Sequence, residues 1–336
     1  MAVDFHRLDG SSADWGGVLN QFQTPSVYQS WEWGEHKKRS GWQPERWVFG
    51  DGSDSCLGVC QFLTKKLSTG LRLVWAPGGP VVRAPSAWTK DFARALWQVA
   101  RSGHSWAYFR CDPYEAREFG SDDAEAMHHS LHRPWFFLNP GTSVWLDLPD
   151  SESEFVQGMV KNHRYRFRQA QKAGLAWTHG KSSASVRDFT EILQEVRKIK
   201  SMGTAPPKFT EIQNLVDDLG DKAHLTLGYR DGKPVVGALC LLQGHRGWYS
   251  YAGCNSLGRQ VSASYALVPE IAKVVRWLGV RQLDLAGISP WKKKYAGVND
   301  FKKGFGGRTV SLAGEWEAGG FVARLAGNLA VAWRRV

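Results

Sequence analysis

The chain has 336 residues, a formal net charge of +11 and an apolar content of 43% that includes 17 tryptophans. This length can hold two domains with separate cores, and the composition excludes a disordered polypeptide. The five cysteines are scattered without a C-x-x-C pair, which is typical of reduced cytosolic thiols rather than of a disulfide framework. Because the sequence contains neither a secretory leader nor an apolar run of roughly 18 residues, we expect a soluble cytoplasmic protein.

The excess of positive charge favours a polyanionic partner, because a compact domain with many like charges repels itself. Nucleic acid, anionic lipid and a nucleotide-linked substrate all fit this description. The cations crowd into two segments, 161–172 and 292–308. These segments are therefore the first candidates for the contact.

Two stretches of the chain repeat the same order of predicted elements. In the first, strands at 46–50 and 56–63 flank Asp51-Gly52 and are followed by a strand at 71–76, a helix at 88–101 and a strand at 106–111. In the second, strands at 225–229 and 235–242 flank Asp231-Gly232 and are followed by a strand at 247–252, a helix at 264–278 and a strand at 282–288. Asp-Gly tolerates the positive φ angles of a tight hairpin turn. The duplication predicts two similar α/β domains in one chain.

A basic helix is predicted between the two copies, from 152 to 173. Four cations in it recur at spacings of three and four residues and so share one helical face: Lys161, Arg164, Arg168 and Lys172. Such a stripe is commonly a solvated face. The interleaved Tyr165 and Phe167, and the lack of acidic residues after Glu154, favour a surface that binds a polyanion.

The strand at 282–288 leads into the most informative segment of the chain. The sequence predicts a kink at Gly287, then a basic loop, and then an aromatic-glycine segment at 301–307 that presents Lys302 and Lys303. Glycine lets backbone approach a ligand closely, and a lysine held by aromatic neighbours can offer its charge to an oxyanion or a phosphate. The alternative is an ordinary strand-loop-strand with solvated lysines.

The last predicted helix, 321–335, carries an apolar stripe. Its members are Val322, Leu325, Leu329 and Trp333. Because the polar face of this helix is thin, we interpret it as a helix that packs on the protein rather than as a membrane anchor.

Other chemistries fit the sequence poorly. It contains no G-x-S-x-G elbow, no P-loop and no dinucleotide fingerprint. The histidine cluster lacks a nearby carboxylate and cysteine pattern, so we interpret it as a surface turn and expect no metal; its members are His128, His129 and His132. Coenzyme A would need a glycine-rich turn before the helix at 264, and residues 259–264 hold no glycine. We therefore expect no cofactor.

Three groups of residues occur in order along nearly the whole chain: Gln29-Ser30-Trp31-Glu32-Trp33-Gly34 with Lys37, the basic helix at 161–174, and Asp284 to Ile288 followed by Phe301-Lys302-x-Gly304-Phe305-Gly306. In these groups the sequence resembles the FemABX aminoacyltransferases of peptidoglycan cross-bridge synthesis. The resemblance implies an α/β fold with mixed sheets, two GNAT-like domains and a final helix that returns to the first domain. Nothing in the sequence looks like the coiled-coil arm that some members carry, so we expect no such arm. We place domain 1 at 1–148, completed by 318–336, and domain 2 at 149–317.

The reaction that the resemblance implies is transfer of an aminoacyl group from aminoacyl-tRNA to an amine on the stem peptide of a peptidoglycan precursor, UDP-linked or lipid-linked. Attack of an amine on an ester passes through a tetrahedral oxyanion, which a fixed cation stabilises. Lys302 matches the family's Phe-Lys pair and takes that role, with Phe301 positioning it and Lys303 as the adjacent alternative. Asp112 matches an aspartate that is a weaker candidate for a general base.

The resemblance also implies two binding sets. Lys37, on a short helix after Ser30, and Lys208 would contact phosphates or carboxylates of the precursor, although Lys208 stands where we expect the family to have arginine. Trp33 and Tyr251 complete the substrate-binding set. The tRNA-binding set is the stripe of Lys161, Arg164, Arg168 and Lys172.

Two alternatives stay open. One is an acyltransferase of the same fold with another donor or acceptor, such as a peptide-antibiotic tailoring enzyme. The other is a non-catalytic protein that binds RNA or the precursor. We expect no DNA partner, and we expect a cytoplasmic location, with peripheral contact at the inner face of the membrane as a further expectation.

Overall fold

The computed structural model describes residues 3–23, 25–52, 55–116, 127–128, 130–200 and 206–335. By its internal contacts the chain divides into two compact units, Met1–Gly141 with Ser311–Val336, and Thr142–Val310. Sequence analysis placed the domain boundaries at 148/149 and 317/318 instead. The segment at 142–147 falls in the second unit because it forms a strand of the second sheet.

The elements follow in chain order. The first unit begins with β1 (Asp4–Arg7), α1 (Ser12–Leu19), α2 (Trp31–Lys38), β2 (Gln43–Gly50), β3 (Cys56–Lys66), β4 (Arg72–Gly78), β5 (Val81–Val82), α3 (Lys90–Arg101) and β6 (Ala107–Pro113). There follow β7 (Thr142–Asp147), α4 (Glu152–Gly158), α5 (Lys161–Lys172), β8 (Ala176–His179), α6 (Ser183–Lys200), α7 (Phe209–Leu219), β9 (Ala223–Arg230), β10 (Lys233–Gln243), β11 (Arg246–Cys254), α8 (Ser256–Gln260), α9 (Ala263–Trp277), β12 (Gln282–Gly287), α10 (Ala296–Lys303) and β13 (Arg308–Ser311). The chain ends with β14 (Trp316–Gly319) and α11 (Phe321–Arg335).

Each unit is built on a mixed sheet, and the two sheets share one plan. The first runs β1-β2-β3-β4-β6-β14 with β5 beside β3, and the second runs β13-β7-β12-β11-β10-β9-β8. β4 is parallel to β6, and β11 is parallel to β12. In each case the helix between the two strands, α3 or α9, makes the crossover that a parallel pair requires. The predicted duplication and the α/β fold with mixed sheets are confirmed.

Both predicted hairpins form, but their turns differ. β9 and β10 are antiparallel, and both Asp231 (φ 51°) and Gly232 (φ 74°) have positive φ, as in the predicted two-residue turn. The loop between β2 and β3 is longer: the Asp51 amide donates to the Ser55 carbonyl over 3.2 Å.

The helical faces that the sequence predicts for α3 and α9 are buried in two separate cores. Phe92 of α3 is fully buried and its ring meets that of Phe49 at 5.3 Å. Ile271 and Val275 of α9 are fully buried against the second sheet. One predicted member of the α9 face, Leu278, lies beyond the end of the helix and is 46% exposed.

The helix predicted at 152–173 is broken into α4 and α5, so this prediction is wrong in its continuity. Met159 and Val160 have extended backbone with ψ of 150° and 156°, and the Met159 side chain is buried. The Arg164 guanidinium stabilises the break by donating to the carbonyls of Gln157, at 3.2 Å, and of Met159.

The C-terminal helix α11 returns to the first unit, as the resemblance implies, but packs through a face that the sequence did not predict. Its buried positions include Ala323, Gly327 and Asn328. A Cβ at Gly327 would lie 2.5 Å from the ring of Tyr108, so the helix approaches β6 too closely for a larger residue. The predicted packing stripe faces solvent instead, with Val322 64%, Leu325 37% and Leu329 56% exposed. The Trp333 side chain lies outside the described residues. Among the described helices, none combines the length and hydropathy that a membrane span requires.

Candidate active site

The second sheet opens between two of its central strands. β11 and β12 pair at their first three positions, the last of which joins Trp248 to Asp284, while β11 stays paired with β10 as far as Cys254. The counterpart strands of the first unit, β4 and β6, pair over their full lengths. Diverging strands leave backbone donors and acceptors available to a ligand. The opening between β11 and β12 is therefore the candidate ligand-binding site of the second unit.

A buried carboxylate shapes the end of β12 at this opening. Asp284 is fully buried and accepts hydrogen bonds from the Ser143 hydroxyl (2.5 Å), the Trp145 indole (2.8 Å) and the amide of Ala286 (2.6 Å). Ala286 has a φ of 66°, a left-handed conformation that costs about 1 kcal/mol for a residue with a Cβ. The kink predicted at Gly287 thus occurs one residue earlier and is stabilised by Asp284 rather than by the absence of a side chain.

Lys302, the predicted oxyanion-stabilising residue, reaches the end of β12. It lies in the last turn of α10, and its Nζ donates to the carbonyl oxygen of Gly287 at 2.9 Å. Burial lowers the pKa of Lys302 to about 8, against the opposing effect of the Asp284 carboxylate. Lys303, the alternative, is exposed. The structure thus distinguishes the two lysines by burial and position.

Phe301 belongs to an aromatic cluster that holds this helix in place. Its ring lies 5.0 Å from Phe305 and 5.3 Å from Tyr265, and the imidazole of His163 lies 4.9 Å from both of those rings. Burial lowers the pKa of His163, so its imidazole is neutral at pH 7 and its Nε2–H donates to the Phe301 carbonyl at 2.9 Å. Sequence reasoning missed His163 and Tyr265, because each is linked to the Phe-Lys pair only through the fold.

Gly304 and Gly306 of the aromatic-glycine segment allow close packing within the protein rather than close approach of a ligand. A Cβ at Gly304 would lie 2.0 Å from the His163 ring, and one at Gly306, which has a φ of 91°, would lie 2.5 Å from the carbonyl oxygen of Gly158. Both glycines therefore allow the α4–α5 region to lie directly against the segment that carries Lys302.

Two predicted substrate-binding residues, Tyr251 and Lys208, belong to the second unit. Tyr251 on β11 is 39% exposed, and its pKa is raised by burial and then by the negative charge of Glu211. The same Glu211 carboxylate accepts the backbone amide of Lys208 at 3.1 Å, at the start of α7. The Lys208 side chain is exposed. The Glu211 carboxylate thus acts on both residues, because it raises the pKa of Tyr251 and bonds the backbone of Lys208.

The other two, Lys37 and Trp33, form a pair in the first unit. Both lie on α2, which begins after Ser30 as predicted and is capped by the Ser30 hydroxyl. The Lys37 Nζ lies 4.4 Å from the centre of the Trp33 ring, and burial lowers the pKa of Lys37. The buried Trp33 Nε1 has no hydrogen-bond partner among the described residues. This pair places a cation on an aromatic face, next to a buried indole N–H.

Asp112 also lies in the first unit, near the end of β6. Its Oδ1 accepts from the Gly78 amide at 2.8 Å and its Oδ2 from the Asn139 amide group at 2.5 Å. Desolvation, and then the charge of Glu315, raise the pKa of Asp112 to about 8. Its carboxyl group is therefore largely protonated at neutral pH and already engaged within the first unit.

The four members of the predicted basic stripe on α5 share one face, opposite the buried His163 and Phe167. Three of them are exposed: Lys161, Arg168 and Lys172. Arg164 is instead partly buried and bonded to the carbonyls that precede α5. The stripe thus has three exposed cations and one that stabilises the fold.

A second basic surface lies between β12 and α10. The buried Asn299 side chain fixes the start of the loop. Its Oδ1 accepts the Ser289 amide at 3.2 Å, and its Nδ2 donates to the Ser289 carbonyl at 3.0 Å. The loop projects Trp291, 65% exposed, and Tyr295, 38% exposed, among three exposed lysines; the lysines are Lys292, Lys293 and Lys294. Exposed rings among cations are typical of surfaces that bind single-stranded nucleic acid.

Within the described part of the chain, no group of three histidine, cysteine or acidic side chains is placed to hold a metal ion. His129 lies outside the described residues. The His128 ring packs on Trp316, with ring centres 4.9 Å apart, and the His132 amide donates to the carbonyl of Glu317 at 2.8 Å.

Comparisons with known proteins agree with this architecture. Residues 157–303 match the model of a family described as an acetyltransferase (GNAT) domain. The crystal structure of FemX superimposes with a TM-score of 0.83 at 16% identity, covering 97% of this chain and 100% of that one. This chain has a FemX-like fold of two GNAT-type domains.

Two other solved structures match the fold of this FemX-like chain with lower TM-scores. A tandem GNAT protein from the clavulanic acid biosynthesis pathway matches with a TM-score of 0.56 at 15% identity, covering 94% of this chain and 98% of that one. The C-terminal domain of a candidate lysylphosphatidylglycerol synthetase from Agrobacterium fabrum matches at 0.54 and 13%, covering 96% and 97%. No curated protein sequence matches significantly. The GNAT match spans the β11–β12 opening and Lys302, which supports an acyltransferase.

Proposed function

We propose that this protein is an aminoacyltransferase that moves an amino acid from aminoacyl-tRNA to an amine on the stem peptide of a peptidoglycan precursor. The observation that carries the proposal is Lys302, whose ammonium is fixed on the Gly287 carbonyl at the end of β12, beside the opening of the sheet.

In the proposed reaction, the acceptor nitrogen attacks the carbonyl carbon of the aminoacyl ester. The new C–N bond forms as the carbonyl oxygen becomes an oxyanion, and the C–O bond to the terminal ribose then breaks. A proton passes from the nitrogen to the departing ribose oxygen. With a pKa of about 8, about nine in ten Lys302 side chains carry their charge at pH 7. A preorganised cation of this kind stabilises the oxyanion more than it stabilises the neutral ester.

The surface of the second unit supports tRNA as the donor rather than coenzyme A. Coenzyme A would be held by backbone amides where α9 begins, and two of the amides there, those of Ser262 and Tyr265, already donate to the carbonyls of Arg259 and Ser262. The exposed cations of α5 and the loop with Trp291 and Tyr295 suit a phosphate backbone and unstacked bases.

For the acceptor, we propose the predicted substrate-binding set. Lys37 on the Trp33 face and the exposed Lys208 would contact phosphates or carboxylates, and the Tyr251 hydroxyl would hydrogen-bond the stem peptide. Asp112 is the less favoured base, because an amine attacking an activated ester needs little help and the carboxyl oxygens of Asp112 are already bonded.

The donor and acceptor can be tested together. The protein is incubated with a UDP-linked precursor and, in separate reactions, with a mixture of charged tRNAs or with acyl-coenzyme A, and the precursor is then analysed by mass spectrometry. We expect the mass of one amino acid residue to be added only with charged tRNA. Modification by acyl-coenzyme A alone would assign the fold to another acyl transfer, and binding of tRNA or precursor without any transfer would indicate a non-catalytic protein.

A further inference from the structure

The helix that carries Lys302, α10, ends against the start of α5. Carbonyl oxygens in the last turn of a helix lack donors within that helix. At the end of α10, the Val160 amide donates to the Gly304 carbonyl at 3.0 Å. The His163 side chain supplies a second donor, because its Nε2–H bonds the Phe301 carbonyl at 2.9 Å. Two carbonyls at the end of α10 are therefore satisfied by the start of α5.

The His163 ring is enclosed, so the direction of this N–H is set by packing. His163 is 4% exposed, and its ring lies 4.9 Å from the rings of Tyr265 and Phe305. On another side it occupies the space that a Cβ of residue 304 would need. Because a close-packed interior leaves little room for a ring to turn or shift, the donor stays aimed at the Phe301 carbonyl.

The His163 ring is placed to hold a carbonyl and not to move a proton in the reaction. Its Nε2–H is engaged by Phe301, and its Nδ1 is buried and has no hydrogen-bond partner among the described residues. A general acid or base must come within hydrogen-bond reach of the proton that it transfers. Neither ring nitrogen of His163 is open to a substrate.

The Phe301 carbonyl is the backbone group from which Lys302 starts, since its carbon is bonded directly to the Lys302 nitrogen. A hydrogen bond to this carbonyl fixes the base of the lysine, and the bond from Nζ to the Gly287 carbonyl at 2.9 Å fixes its tip. Loss of the bond at the base would let the last turn of α10 move. Displacement of a catalytic group by about 1 Å can cost about 100-fold in rate.

We propose that His163 is a positioning residue for Lys302: its Nε2–H holds the Phe301 carbonyl and thereby sets where the Lys302 ammonium lies beside the β11–β12 opening. This role rests on the proposed function, in which Lys302 stabilises the oxyanion. His163 itself contacts neither substrate. The buried face of α5 thus serves the reaction in addition to the exposed cations on its other face.

Two substitutions separate positioning from packing. His163→Leu fills the site without a donor, whereas His163→Gln keeps an amide N–H of similar reach that carries no proton to or from a substrate. In transfer from charged tRNA, we expect His163→Leu to lower kcat by about 10-fold to 100-fold. The KM values for both substrates should stay within about twofold, because the bond acts on the transition state. His163→Gln should restore most of kcat.

Phe155→Leu is the matched control for loss of packing. Phe155 is buried in the core of the second unit but lies on α4. Its truncation removes buried apolar contacts and lowers the Tm, while both bonds between α5 and α10 remain. We expect this variant to keep the wild-type kcat.

The position of Lys302 can also be measured without any substrate. The rate at which acetic anhydride modifies Lys302, followed by peptide mass spectrometry over a series of pH values, gives the pKa of this lysine. The wild type should titrate near a pKa of about 8. In His163→Leu the pKa should shift upward toward 10.5, because a displaced ammonium gains contact with water. His163→Gln and Phe155→Leu should titrate like the wild type.

The titration keeps this role testable apart from the proposed function. Absence of transfer from charged tRNA by the wild type would refute the proposed function, whereas an unchanged Lys302 titration in His163→Leu would overturn the positioning role. Equal impairment of His163→Gln and His163→Leu, or the same changes in Phe155→Leu, would also overturn it. Circular dichroism identifies a variant that fails to fold, and His163→Phe, which keeps a ring without a donor, then replaces His163→Leu.

Discussion

Replacing Lys302 with methionine should stabilise the fold while it removes catalysis. Burial lowers the pKa of this lysine from 10.5 to about 8, so the charge costs the folded state at most about 3 kcal/mol at neutral pH. Methionine fills a similar volume without the charge, and loss of the hydrogen bond to Gly287 offsets about 1 kcal/mol of the gain. The net gain of about 1–2 kcal/mol should raise the Tm by several degrees.

The pH dependence identifies the cause of this gain. The folded-state pKa of Lys302 lies below its unfolded value, so the destabilisation is complete below pH 8 and disappears as the pH rises to 10.5. The difference in unfolding free energy between Lys302→Met and the wild type should therefore shrink across this interval. Denaturant unfolding at a series of pH values measures it.

Lys302→Met also removes the cation that stabilises the tetrahedral oxyanion in the proposed reaction. Loss of one such group costs about 3–4 kcal/mol of transition-state stabilisation, which corresponds to a fall of about 100-fold to 1,000-fold in kcat. In the wild type, kcat/KM should fall above about pH 8 as the Lys302 ammonium loses its proton. The assay is mass-spectrometric detection of the modified precursor after rapid quenching.

Lys303→Met is the matched control, because Lys303 is the next residue on the same helix and is exposed. It should change neither kcat nor the Tm by much. The reasoning would be refuted if Lys302→Met kept near wild-type turnover, or if its stability relative to the wild type did not change between pH 8 and pH 10.5.

Three further predictions concern binding and packing. Arg168→Glu combined with Lys172→Glu should weaken tRNA binding and reduce its salt slope by about 0.7 per lost phosphate contact; an unchanged affinity at low salt in a filter-binding assay would make the stripe a solvated face. Lys37→Ala should raise the KM for the acceptor far more than the KM for the donor, and steady-state kinetics showing the reverse would exchange the two substrates between the units. Gly304→Ala should lower the unfolding free energy by about 1–3 kcal/mol, because its Cβ would overlap the adjacent imidazole, whereas Gly297→Ala on the same helix meets nothing within 4 Å; equal denaturation midpoints for the two would contradict the packing.

The sequence was sufficient to predict the strands and crossover helices of both units, since hairpin turns and helical faces are local patterns. Asp231-Gly232 adopts the turn that its residue types favour, and Phe92 and Ile271 are buried as their spacing indicates. The break between α4 and α5 was missed because it depends on burial of Met159 and on Arg164 bonding backward to free carbonyls, which are tertiary effects.

At the candidate site, the Phe-Lys pair of the resemblance identified Phe301 and Lys302. It did not identify the residues that pack around them. His163 lies far from Gly304 in sequence. Only the fold brings the His163 ring next to Gly304, at the position that a Cβ of residue 304 would occupy. The outward stripe of α11 was misinterpreted for a related reason. An apolar stripe usually marks the packed face of a helix, but here Gly327 and Asn328 allow close approach to β6 and turn the stripe to solvent.

Single-turnover transfer of a radiolabelled amino acid tests the central claim most directly. The protein, in excess over charged tRNA, is mixed with UDP-linked or lipid-linked precursor, and the label on tRNA, precursor and free amino acid is counted over time. We predict that the label moves to the precursor with the wild type and with Lys303→Met, and that it stays on the tRNA with Lys302→Met. Label that never reaches either precursor from any charged tRNA, or that Lys302→Met transfers as fast as the wild type, would contradict the proposed function or the role of this lysine.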